Sequence, residues 1–262
     1  MSLDNGKDMR YFIELQYNGG AYFGWQRQNG QPSVQQTIEQ ALSTLLRTTI
    51  EITGAGRTDT GVSACYYVAH FEVESPIEDP DQVVYKLNRI LPRDIAIQTM
   101  TAVEEETHAR FSACEREYRY YIEHRKNPFT VGQTWQYAVV LDVEKMNRAA
   151  EVLLEVEDFT TFAKLNSNNK TNICHVQVAR WEVEADGTLC FTIRADRFLR
   201  NMVRAIVGTL VDVGRGRYTV EEFREIVLSR DLSRASGGAP AEGLYLSDVR
   251  YPTELFERKT FY

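Results

Sequence analysis

The sequence predicts an α+β fold made of two related halves, on three observations. Strand-like and helix-like stretches alternate along the chain, and the alternation restarts near residue 117. The chain has 262 residues, room for one large domain or two modest ones. Apolar residues make up 43% and charged residues 26%, ordinary proportions for a globular protein with a sizeable core.

In the first half, RYFIELQY (10–17) alternates apolar and polar residues, the pattern of a half-buried strand, and YNGG (17–20) follows as a turn. Ser33 with Gln36 makes a capping box for a helix over 34–47, whose Val34, Ile38, Ala41, Leu42, Leu45 and Leu46 form one apolar stripe. TIEITG (49–54) reads as a strand running into a glycine-rich loop, and YYVAHFEVE (66–74) as another strand. Asp79 and Pro80 start a helix over 80–90, and IAIQTMTAV (95–103) is a further strand.

The second half opens with a strand over 117–124, then a helix over 143–155 capped by Asp142. Strands over 175–184 and 188–194 lead to an apolar helix over 198–213, stopped at Gly214. Thr219 with Glu222 caps a helix over 220–229, and LSDVRY (246–251) closes as a strand. The halves are alike in element content without a clear sequence repeat, and are divided as 1–105 and 106–262. Polar loops fall at 163–172 and 236–243.

Composition narrows the function. No apolar run reaches the roughly 18 residues of a membrane span. MSLDNGKDMR has no apolar signal core, so the expected location is the cytoplasm. None of the four cysteines forms a CxxC pair, and reduced, mostly buried thiols are expected. No histidine spacing suits a metal, and His70, inside an apolar strand, reads as a core histidine. No GxSxG elbow, dinucleotide fingerprint or P-loop is present. The net charge of -7 argues against a broad nucleic-acid surface, but six arginines against two aspartates between 194 and 217 make a local excess of +4.

Three strings could carry chemistry. GAGRTDTGVSA (54–64) places Arg57 and Asp59 among glycines at a strand exit. It reads either as a loop presenting both side chains to a ligand or as a turn in which Asp59 bonds its own backbone. EREYRYY (115–121) puts Arg116, Tyr118 and Tyr120 on one strand face, suited to stacking and phosphate contact or, equally, to packing on a helix. In 196–217, Arg197, Arg200, Arg204 and Gly208 follow one helical stripe opposite the apolar one. Arg204, between apolar neighbours, is the least exposed of these arginines and wants a carboxylate.

With these strings in view, the sequence resembles the tRNA pseudouridine synthase A family over nearly its whole length. The resemblance is carried by YNGGAYFGWQRQ (17–28), QPSVQQTIEQAL (31–42), GAGRTDTGVSA (54–64) and LNRILPRDI (87–95). It continues in HARFSACEREYRYYI (108–122), FLRNMVRAIVGTLVDVGRGR (198–217) and APAEGLYLSDVRYP (239–252). Ser63 stands where many relatives carry His.

The resemblance implies conversion of uridine to pseudouridine at positions 38, 39 and 40 of the tRNA anticodon stem-loop. It implies two ferredoxin-like, RRM-like subdomains joined in a continuous antiparallel sheet, with helices on one face and the active-site cleft between them. It implies a homodimer, no membrane association, no organic cofactor and no metal. Asp59 matches the catalytic aspartate, Arg204 the basic residue paired with it, and Tyr118 the active-site tyrosine. Leu244 matches the hydrophobic pocket wall. Arg57 and Arg116 are expected to bind the substrate nucleotide, and Arg197 and Arg200 the RNA backbone. Two other classes stay open: a non-catalytic RNA-binding protein with RRM-like sheets, against which the missing RNP1 string counts, and a nucleosidase that would release free uracil.

Overall fold

The computed structural model describes residues 9–164 and 170–258. The chain divides into two compact units, one of residues up to Cys114 together with those from Asp248 onward, the other Glu115–Ser247.

The first unit contains β1 (Met9–Tyr17), α1 (Val34–Leu46), β2 (Thr53–Gly54), β3 (Ser63–Val73), α2 (Pro80–Ile90) and β4 (Ile95–Val103). β1 lies between β4 and β3, antiparallel to both, and β2 pairs antiparallel with β3. The chain path is therefore βαββαβ with the first strand inside. Local chemistry sets the helix starts. Ser33 Oγ accepts the Gln36 N–H at 3.2 Å, and Asp79 Oδ1 accepts the Gln82 N–H at 2.9 Å with Pro80 next in the first turn. Val34, Ile38, Ala41 and Leu42 of the expected stripe are buried, while Leu45 and Leu46 are half-buried.

The second unit contains β5 (Glu115–Glu123), β6 (Trp135–Gln136), α3 (Val143–Glu151), β7 (Val176–Val183), β8 (Leu189–Ala195), α4 (Met202–Gly214) and α5 (Val220–Leu228). The division between units falls within β9 (Leu244–Arg250). Here the order is β9-β5-β8-β7, so β5, the first strand of this unit, again lies inside, and the βαββαβ path recurs with α5 added after α4. A short insertion adds β6 parallel to the end of β5. Thr219 and Glu222 form a reciprocal capping box at α5.

The structure corrects several expectations. β1 is not half-buried: Tyr11 through Leu15 are all buried, and Phe12 packs against Tyr251 and Phe256 with ring centroids 5.4 and 5.0 Å apart. Glu14, 0% exposed, is satisfied by the Tyr66 hydroxyl at 2.7 Å and the Thr99 hydroxyl at 2.6 Å. Of the strand expected over 49–54 only Thr53 and Gly54 pair. The helix expected from 198 starts at Met202, since Asn201 sits at φ 64, outside helical space. Cys65 and Cys114 are exposed, so the buried-thiol reading holds only for Cys174 and Cys190. Residues 165–169 of the expected 163–172 loop lie outside the described residues. Among the described residues no helix is long and apolar enough to cross a membrane.

Candidate active site

Asp59 sits in the loop joining β2 to β3, and residues about forty positions earlier clamp that loop. Tyr17, the last residue of β1, places its hydroxyl 2.8 Å from Thr58 Oγ1, and both residues are buried. The Thr58 carbonyl accepts the Trp25 N–H at 3.3 Å, and the Gly61 N–H donates to the Tyr22 carbonyl at 3.2 Å. The Val62 N–H donates to the Asp59 carbonyl at 3.1 Å, closing a turn around residues 59–62. Ser63 Oγ accepts the Gly19 N–H at 3.0 Å, so this serine is a buried structural tie beneath the loop.

Upstream, the buried Tyr67 donates its hydroxyl to the Gly56 carbonyl and stacks on Trp25 with ring centroids 4.0 Å apart. Gly24 completes the clamp. It has φ +90, and a Cβ there would run into the Thr58 carbonyl oxygen and stand 3.2 Å from the Asp59 carbonyl carbon. Backbone ties thus fix residues 55–62 while Arg57 stays exposed and Asp59 half-buried. Such a loop presents a carboxylate and a guanidinium on a rigid base, the arrangement positioned chemistry requires.

The second unit holds the remaining candidates, and Arg204 and Leu244 lie along residues 239–244. Arg204 is the one residue of α4 that is not buried. Its Nε donates to the Ala239 carbonyl at 2.6 Å, and the Ala239 N–H returns a bond to the Arg204 carbonyl at 2.9 Å. Tyr120, buried on β5, donates its hydroxyl to the Pro240 carbonyl at 2.8 Å. Burial pushes the Tyr120 phenol up, partly offset by the Arg204 charge, so it stays a neutral hydrogen-bond donor. Leu244 follows at the start of β9 and is buried. Two residues before Tyr120 on β5, Tyr118 is half-buried, with its ring edge-to-face on Phe198 at 5.1 Å. Arg116 donates from Nη1 to the Asp196 carbonyl at 2.9 Å. Of the side chains expected to share a strand face, Tyr120 packs inward, while Arg116 and Tyr118 border residues 196–198.

The expected basic stripe on the helix does not form, because Arg197 and Arg200 precede α4. Nor is the local excess of positive charge a free face. Arg194 Nη2 lies 2.5 Å from Glu117, while Arg215 and Arg217 both pair with buried Asp212, at 2.7 and 3.2 Å. Burial alone would raise the Glu117 carboxyl, but hydrogen bonds from Arg194 and Ser247 and the Arg194 charge hold it below its ordinary value. Asp196 is held low in the same way, against burial, by the N–H groups of His175 and Arg197 at 2.8 and 2.7 Å. That carboxylate anchors the segment leading into Arg200, which is exposed.

The reading of the residues assigned no role to Tyr17, Gly24, Trp25 or Tyr67. The signal was present in YNGGAYFGWQRQ, whose aromatic and glycine density exceeds what a simple turn needs. His70 is the core histidine expected: buried, with Nδ1 accepting the Ala109 N–H at 3.1 Å. Among the described residues no group of three or more His, Cys, Asp or Glu side chains could hold a metal.

A family model described as tRNA pseudouridine synthase matches residues 15–112 and 149–252. A tRNA pseudouridine synthase A of Parabacteroides distasonis is 51% identical over 247 residues, covering 94% of this chain and 98% of its own. The protein of that name in Bacteroides thetaiotaomicron is 49% identical over 253 residues, covering 96% and 94%. One from Yersinia pestis is 40% identical over 249 residues, covering 93% and 92%.

Proposed function

The chain belongs to the tRNA pseudouridine synthase family of isomerases, and on that premise we propose that it converts uridine to pseudouridine at positions 38, 39 and 40 of the tRNA anticodon stem-loop, with Asp59 as the essential carboxylate. The reaction breaks the N1–C1′ bond, turns the base and joins C5 to C1′. The proton leaves C5 and N1 gains one, so atoms and electrons balance within the substrate and no electron or group donor is called for.

Asp59 acts at the sugar, as nucleophile on C1′ or base on C2′. By the family resemblance Arg204 is the basic residue that accompanies the catalytic carboxylate. Tyr118 stacks on the extruded uracil and assists removal of the C5 proton, and Leu244 forms the apolar wall beside it. Extrusion costs a few kcal/mol. Stacking, at about 1–3 kcal/mol per base, offsets part of that cost. Arg57 and Arg116 hold the flipped nucleotide, and Arg197 and Arg200 contact the RNA backbone. The recurring βαββαβ path supports reading each unit as a ferredoxin-like subdomain. By the family resemblance the working form is a homodimer, and its place is the cytoplasm, with its tRNA substrate.

The observation that carries this reading is the clamped loop presenting Asp59 beside Arg57. Its test is incubation of unmodified tRNA with the protein, followed by position-specific chemical derivatisation of pseudouridine, beside Asp59→Ala. Pseudouridine at 38–40 with the wild type alone, and tRNA binding by both proteins, is the expected result. Turnover surviving in Asp59→Ala would overturn the assignment of Asp59. Binding by the wild type with no altered nucleoside would overturn the reaction.

A further inference from the structure

One side of α4 is made of polar and small residues. Asn201 at its cap, Arg204, Gly208 with Thr209, and Asp212 succeed one another at about one helical turn. Residues 236–239, on the way to β9, lie along that side and run the opposite way. The Ser236 hydroxyl donates to Asp212 Oδ2, and the Ser236 N–H donates to Thr209 Oγ1 at 3.2 Å. Gly237 passes over Gly208, where a Cβ would run into the Gly237 carbonyl oxygen. Ala239 then exchanges two bonds with Arg204, from its own N–H at 2.9 Å and to its carbonyl at 2.6 Å.

The donors and acceptors along this track each have one possible direction. The buried Asp212 carboxylate, already paired with Arg215 and Arg217, only accepts, so the Ser236 hydroxyl donates. The Thr209 hydroxyl gives its proton to the Ala205 carbonyl at 2.8 Å, which leaves its oxygen to accept the Ser236 N–H. Past Ala239 the segment stays held. The Pro240 carbonyl takes the Tyr120 hydroxyl, and a Cβ at Gly243 would stand 2.8 Å from the Tyr120 ring and from the Tyr121 carbonyl oxygen. Leu244 is the next residue. Glycine inside a helix weakens it relative to alanine, so Gly208 gains nothing locally. What it allows is the close approach of the Gly237 backbone.

We propose that Gly208, Asp212 and Ser236 are positioning residues that set Arg204 and Leu244 for the reaction. Gly208 opens a groove in α4, and the bond from Ser236 to Asp212 pins the segment at one end of it. The paired Ala239 bonds carry that placement to Arg204, and the Tyr120 bond to Pro240 carries it to Leu244. The three residues have no part in the chemistry itself. The inference rests on reading Arg204 and Leu244 as parts of the uridine site, and adds what holds them in place.

The test combines steady-state kinetics on unmodified tRNA with amide hydrogen exchange of the free protein, each run well below the Tm of the variant. Gly208→Ala forces the Gly237 backbone to move by about 1 Å and lowers kcat about 10²-fold, with KM within about twofold. Ser236→Ala lowers kcat about tenfold, and Ser236→Thr, which keeps the hydroxyl, restores it. In Gly208→Ala and Ser236→Ala the Ala239 amide exchanges about tenfold faster than in the wild type. Leu210→Val, buried on the opposite side of α4, is the control: it lowers Tm and keeps both kcat and the exchange of Ala239. Wild-type kcat in folded Gly208→Ala or Ser236→Ala would overturn the positioning role, as would an equal fall in Leu210→Val or a rise in KM alone. Absence of pseudouridine with the wild type, alongside faster Ala239 exchange in both variants, would overturn the proposed reaction and leave the docking of residues 236–239 on α4 standing.

Discussion

Gly24→Ala is the sharpest perturbation of the candidate site because it touches no group in the chemistry. Residue 24 has φ +90, a conformation that costs a residue with a side chain about 1–3 kcal/mol. The new methyl would also occupy the space of the Thr58 carbonyl oxygen and stand 3.2 Å from the Asp59 carbonyl carbon. Relief requires the 58–59 peptide to move by about 1 Å, a misplacement that lowers catalytic rates about 10²-fold.

The prediction is therefore a loss of about 3 kcal/mol, seen as a fall in Tm of about 6–12 °C. It comes with a drop of about 100-fold in single-turnover pseudouridine formation and little change in tRNA binding. Gly30→Ala is the control. Residue 30 has φ +73 with nothing within 4 Å of a Cβ, so it pays the backbone strain and displaces nothing. It should lose about 1–3 kcal/mol and keep its rate. A folded Gly24→Ala protein turning over within threefold of the wild type would refute the claim that the clamp positions Asp59.

Two other outcomes follow from the same packing. Tyr17→Phe removes the hydroxyl 2.8 Å from Thr58 Oγ1 in a buried pair, so chemical denaturation should show a loss of about 1–2 kcal/mol; an unchanged midpoint would mean the bond contributes nothing. Acid should also destabilise the first unit. Burial, then the charges of His108 and Arg10, hold His70 down to about 4, and burial holds His108 below its ordinary value as well. Both are neutral in the folded state and bind protons near 6.5 when unfolded, so the unfolded chain takes up more protons. Their contribution is complete above pH 6.5 and is lost as pH falls toward 4, by up to about 3 kcal/mol for His70. Urea midpoints measured from pH 7 to 4 check this, and His70→Gln should flatten the curve.

Much of the molecule was legible in near-neighbour chemistry. α2 and β4 begin and end where the proline, the cap and the apolar alternation place them. Thr219 with Glu222 is visible as a capping box without any tertiary information, because both hydrogen bonds close within one turn. The loop holding Arg57 and Asp59 was visible as an unusual glycine-rich string. Strand 49–52 was misread because TIEI has β propensity but no strand beside it except at Thr53 and Gly54. The arginines of 194–217 were misread because charge counts do not show which carboxylates are buried nearby. Glu117, 77 residues before Arg194, takes one guanidinium, and Asp212 takes two.

Local chemistry along the chain set the order of most strands and helices, their caps, and the presence of an arginine and an aspartate in one tight turn. These depend on bonds spanning a few residues, which periodicity and cap chemistry report directly. Long-range packing made Glu14 buried and satisfied, Ser63 a tie beneath the Asp59 loop, and Arg204 the one half-exposed position on a buried helix. It also laid the Gly237 carbonyl against Gly208 of α4. The physical reason is common to all four. Burial and hydrogen-bond satisfaction are set by groups far apart in the chain, and only the closed fold brings those groups within bonding distance.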